Sequence, residues 1–147
     1  MINTQTSPFL TSFNGGFNSM LRWPQLDTLW NTLRQKDAAG WYVYAVGEAP
    51  PNRLTNPAEF NTFLTEIDIL LRKEHNEDYC GIVYADSPDS PRMVKIYDPG
   101  NLGATCGFSE SPPLPGWVIS LDPPCDLPAL VTPPANRRRW WEKIWRK

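Results

Sequence analysis

The segment Asn56-Pro57-Ala58-Glu59-Phe60-Asn61-Thr62-Phe63-Leu64-Thr65-Glu66-Ile67-Asp68-Ile69-Leu70-Leu71-Arg72-Lys73 decides how this chain folds. Asn56 is a strong helix N-cap, and Pro57 falls at the first helical position, where its missing N–H costs nothing. Glu59, three residues after the cap, completes a capping box. Phe60, Phe63, Leu64, Ile67, Leu70 and Leu71 then recur at helical spacing, so one face of this helix must be buried. Arg72 and Lys73 close it at the end where the helix dipole favours cations.

Upstream, the sequence predicts a helix from Pro24 to about Asp37, with Leu26, Leu29, Trp30 and Leu33 as its apolar stripe and Gly40 as its stop. Trp41 to Val46 is aromatic and β-branched between turn formers and reads as a strand. Apolar residues on both of its faces suggest an interior place in the sheet. Downstream, Cys80 to Asp86 and Arg92 to Asp98 read as a hairpin around Ser87-Pro88-Asp89-Ser90-Pro91. Pairing about the loop centre sets Asp86 against Arg92, Tyr84 against Val94, Ile82 against Ile96 and Cys80 against Asp98. Trp117 to Leu121 supplies a last strand. The order α-β-α-β-β-β predicts an α+β two-layer sandwich, an about four-stranded, mainly antiparallel sheet with two helices on one face. A short basic, Trp-bearing helix follows at the C-terminal end. If the first two strands were parallel neighbours, their helical connection would cross over with a right hand.

This divides the 147 residues into a flexible N-terminal arm (1–22), an α+β domain (23–122), a proline-rich strap (123–136) and a basic aromatic tail (137–147). The arm holds Phe9, Phe13 and Phe17, available to tack onto the domain. Eight of the 16 prolines lie between Pro112 and Pro134, a composition that favours extended chain. No apolar run is long enough to span a bilayer. Met1 to Asn18 has neither Lys nor Arg and no apolar core, unlike a signal peptide. Cys80, Cys106 and Cys125 are too few and too widely spaced for a disulfide framework or a metal knuckle. Reduced thiols and a cytoplasmic location are expected.

Few residues point to catalysis. His75 is the only histidine and sits at a helix end, where a surface histidine beside the last carbonyls is the simpler reading than a Cys–His nucleophilic pair. Neither metal-ligand spacing nor a nucleotide-binding glycine pattern is present, so no metal and no cofactor are expected. Asp86 and Asp98 fall at opposite ends of the hairpin, roughly 20 Å apart at strand rise, too far to share a proton. The long loop Pro99 to Pro115 carries the weak candidates Gly103, Thr105, Cys106 and Ser109 for a small-ligand site, with Cys106 as its only conceivable nucleophile.

The tail is the stronger signal. It holds six of the 14 Lys and Arg residues and three of the seven Trp, so that a body of net charge −7 carries a tail of +5. In a helix capped by Asn136, Trp140, Trp141, Ile144 and Trp145 share one face. So short a helix is marginal alone, and something must cover its indoles. Its own domain, a protein partner, an anionic membrane and nucleic acid are the candidates, and the acidic body disfavours the last two. The expectation is a non-enzymatic binding or adaptor protein that engages a protein partner through Arg137, Arg138, Arg139, Trp140, Trp141, Lys143, Trp145 and Arg146. The alternatives are a small cysteine-dependent enzyme or ligand-binding protein using the 99–115 loop, and a peripheral membrane protein anchored by the tail.

Overall fold

A computed structural model describes residues 7–100, 114–127 and 134–145. In chain order it contains α1 (Pro8–Phe13), β1 (Asn18–Ser19), α2 (Trp23–Gln35), β2 (Tyr42–Ala45), α3 (Pro57–Glu74), β3 (Val83–Ala85), β4 (Met93–Ile96), β5 (Trp117–Ser120) and α4 (Ala135–Trp145). α3 starts as its sequence demands. The Glu59 amide donates to Asn56 Oδ1 at 2.8 Å, and the Asn56 amide donates to Glu59 Oε1 at 3.0 Å. Its six periodic residues are all buried, as are Leu26, Leu29, Trp30 and Leu33 of α2. The Trp30 indole N–H donates to Asp68 across the two helices.

The class is α+β, with five strands rather than four, in the order β1-β3-β4-β5-β2, every pair antiparallel. The registers align two core rows, Ala85–Val94–Ile119–Val43 and Val83–Ile96–Trp117–Ala45. Both rows point into one hydrophobic cluster with α2 and α3, against which the Trp residues of α4 also pack. The intervening row, Tyr84–Lys95–Val118–Tyr44, points to the opposite face. There a second cluster joins Tyr44, Val46, Met93 and Val118 to Phe9 of α1 and Leu127 of the strap.

This second cluster corrects the expectation for the N-terminal stretch. From Ser7 onward it is part of the fold: Ser7 caps α1, Phe9 is fully buried, and β1 supplies the fifth strand. Lys95 fixes it to the sheet, its Nζ donating to the Phe13 carbonyl at 2.7 Å and lying about 4 Å over the rings of Phe13 and Phe17. The strap is held from the same side, where the Leu127 amide donates to the Tyr44 hydroxyl at 3.0 Å.

Two further expectations are corrected. β2 lies at a sheet edge, paired only with β5. Its two apolar faces reflect cover on both sides of the sheet, not neighbours on both edges. Since β2 and β3 are not neighbours, the right-handed crossover does not arise. The hairpin is slipped by one residue, with Tyr84 opposite Lys95 and Ala85 opposite Val94. Asp86 sets this register. Its Oδ1 accepts from the amides of Ser87, Arg92 and Met93, and its own amide donates to the Met93 carbonyl. The turn therefore closes on Met93, while the Arg92 guanidinium reaches Asp122 at 3.7 Å. With a side-chain period of two, a one-residue slip exchanges the faces, sending Val83 and Ala85 to the helices and Tyr84 away from them.

Phe63 and Ile67 are fully buried where α3 meets the sheet. Replacing either by Ala is expected to destabilise the protein by roughly 2–5 kcal/mol. Urea midpoints unchanged in both variants would contradict this packing.

Candidate functional site

α4 begins at Ala135, inside the expected strap, with the Arg137 and Arg138 amides both donating to the Pro134 carbonyl. The helix starts at Ala135, so Asn136 lies inside it and is not its cap. Its aromatic face is covered by its own domain. Trp140 meets Trp117 edge-on at 5.4 Å, Trp145 stacks over Phe63 at 6.4 Å, and Trp141 approaches Phe63 edge-on at 6.2 Å. All three indoles are half-buried. The Trp145 indole N–H is shielded from water and has no hydrogen-bond partner among the described residues. An unmet donor of this kind costs about 1–3 kcal/mol.

Arg137 anchors the helix. It lies on the same stripe as the indoles, at 137, 140, 141, 144 and 145, and its side chain is only 11% exposed. Nε and Nη2 donate to the two oxygens of Asp98, both at 2.8 Å. Nη1 and Nη2 donate to the two oxygens of Glu74, at 3.1 and 2.8 Å. Four of the five guanidinium N–H groups are thereby used in two forks, the geometry in which arginine binds carboxylates best. The Asp98 side chain is 8% exposed, so this pair is desolvated, whereas Glu74 is 37% exposed and partly screened. The forked contact to Arg137, opposed by partial burial, holds the Glu74 carboxyl below its ordinary value. The same contacts keep Arg137 protonated.

Asp98 is also the root of the long loop. Its Oδ1 accepts from the Gly100 amide at 2.8 Å. At the other root, a Cβ added to Gly116 would stand 3.1 Å from the Asp98 Cβ. One carboxylate thus holds the first turn of the loop and the start of α4.

The other face of α4 is exposed. Arg138, Arg139 and Lys143 point to solvent, with Arg138 reaching Glu48 at 3.5 Å. Arg146 lies outside the described residues, as do Gly103, Thr105, Cys106 and Ser109. The eight tail positions singled out from sequence therefore separate: Trp140, Trp141, Trp145 and Arg137 face inward, and Arg138, Arg139 and Lys143 face outward. Asp98, Glu74, Glu48 and Trp117, which receive the helix, were missed. The signal for the first two was Arg137 itself, a cation on an apolar stripe that needs a buried acceptor.

His75 is buried rather than on the surface. It follows α3, and its ring lies between Trp23 and Tyr79 with Nε2 2.9 Å from the Cys80 carbonyl oxygen. A carbonyl only accepts, so Nε2 carries the proton and the ring addresses the main chain, not the thiol. Burial pushes the Cys80 thiol up, away from the thiolate that a nucleophile needs. Among the described residues no group of three or more His, Cys, Asp or Glu could hold a metal ion, and no helix is long and apolar enough to cross a membrane. No protein-family model, curated protein or solved structure matches this chain.

Arg137→Ala leaves the buried Asp98 with the Gly100 amide but no countercharge, and is expected to cost roughly 3–5 kcal/mol. Arg137→Lys restores the charge but not the forks, and should recover only part of that loss in denaturant titrations. The Glu74 contact has its own pH signature. Since the folded carboxyl is more acidic than the unfolded one, its stabilisation is complete above about pH 5 and is lost as pH falls through the folded value. Melting temperature plotted against pH should therefore fall less steeply on the acid side in Glu74→Gln than in the parent.

Proposed function

We propose that the protein is a non-enzymatic binding protein of the cytoplasm, and that the outward face of α4 engages an acidic surface on a protein partner. The observation that carries this reading is the outward display of that face in the docked helix. Arg137 and the indoles commit one side of α4 to the domain, which leaves Arg138, Arg139 and Lys143 displayed on a body of net charge −7. Cations held at fixed positions select a complementary partner and steer its approach, and acidic surroundings repel nucleic acid. The partner contact is thus narrower than the sequence suggests, because the three Trp are engaged within the chain. The unpaired thiols of Cys80 and Cys125 support a reducing compartment.

Arg138→Glu, Arg139→Glu and Lys143→Glu combined should leave stability nearly unchanged, since all three side chains are exposed. Capture of partners from a cell extract by the parent protein should be salt-sensitive and should vanish in the triple variant. An identical set of captured proteins from both would overturn this reading.

A further inference from the structure

The inner face of α4 carries a second inference, independent of the acidic protein partner. We propose that α4 is a reversibly docked helix whose Trp face, once released, inserts into the interface of an anionic lipid bilayer. The helix has the make-up of an interfacial anchor, with Trp140, Trp141, Ile144 and Trp145 on one side and Arg138, Arg139 and Lys143 on the other. Docking is incomplete, since no residue of α4 is buried. The Trp145 indole N–H has no acceptor among the described residues, whereas the headgroup region of a bilayer offers ester carbonyls, phosphates and water.

Arg137 is the desolvated anchor of the helix, half of it to the partly exposed Glu74, and Arg138 adds only an exposed contact to Glu48 at 3.5 Å. Release would also free Arg137 to face lipid phosphates. The acidic body opposes approach to such a surface, but only over a Debye length of about 8 Å at physiological salt. Leu127 is held to the sheet through its amide, and the seven residues from 128 to 134 have a contour of roughly 20 Å. A released helix can therefore reach the bilayer while the body stands outside the range of strong repulsion.

Flotation of the full chain with phosphatidylglycerol-containing vesicles, and with phosphatidylcholine vesicles alone, tests this. Glu74→Gln weakens the docked state and leaves every tail cation in place, so the fraction bound to anionic vesicles should rise severalfold over the parent. Trp141→Ala and Trp145→Ala should each lower it severalfold, and binding to neutral vesicles should stay weak throughout. Undiminished binding in both Trp variants would mean purely electrostatic adsorption and would overturn the proposal. So would a Glu74→Gln protein that binds no better than the parent, or equal binding to both kinds of vesicle. Glu74 lies apart from the displayed cations, so failure here leaves the protein-partner reading standing.

Discussion

A sheet with apolar side chains on both faces must be covered on both, and the rest of this structure follows from that constraint. One face receives α2, α3 and α4, as an ordinary two-layer α+β protein would arrange them. Among the described residues the other has no large helix to cover it. Phe9, Leu10 and Phe13 of α1, together with Phe17, Leu114, Cys125 and Leu127, do so instead. The described N-terminal residues from Ser7 and the strap residues up to Leu127 are therefore structural parts of the domain. Lys95 shows how closely this cover is drawn. Its desolvated ammonium, whose proton affinity is lowered by burial, is satisfied by the Phe13 carbonyl at the end of α1 and by two aromatic rings.

The acidic body and the basic tail meet at a single desolvated node. Most of the charge separation is spread over exposed side chains, where salt screens it. At Asp98 it is buried, and geometry matters more than net charge. The same carboxylate holds the Gly100 amide, so the position of α4 and the root of the long loop are fixed together. The tail is thus a docked helix with two chemically different sides.

Much of this was legible along the chain. Asn56, Pro57 and Glu59 start α3 by local hydrogen bonding, and the spacing of Phe60, Phe63, Leu64, Ile67, Leu70 and Leu71 states which side it buries. The stripe of α2, the strand positions and the amphipathic tail helix follow from the same short-range rules, because a helix or strand expresses its period within a few residues. The site was legible in part. The indoles of α4 share a face by spacing alone, and the placement of Arg137 on that face already implied a buried acceptor.

What covers each face is a different kind of fact. The one-residue slip of the hairpin depends on Asp86 capping three loop amides, and its consequence is felt only where Val83 and Ala85 must meet the helices. The edge position of β2 looks interior in sequence, since an apolar face reads the same whether a helix or a strap lies over it. Phe9 seems an isolated aromatic until Tyr44, 35 positions away in sequence, packs beside it at 6.3 Å. The union of Arg137 with Asp98 and Glu74 spans 39 and 63 residues of chain. The sequence by itself determined the elements and their apolar faces, because those arise from neighbours along the backbone. Only the tertiary structure decided strand order, register and the partners of those faces, because each depends on groups that meet in space after the chain has closed.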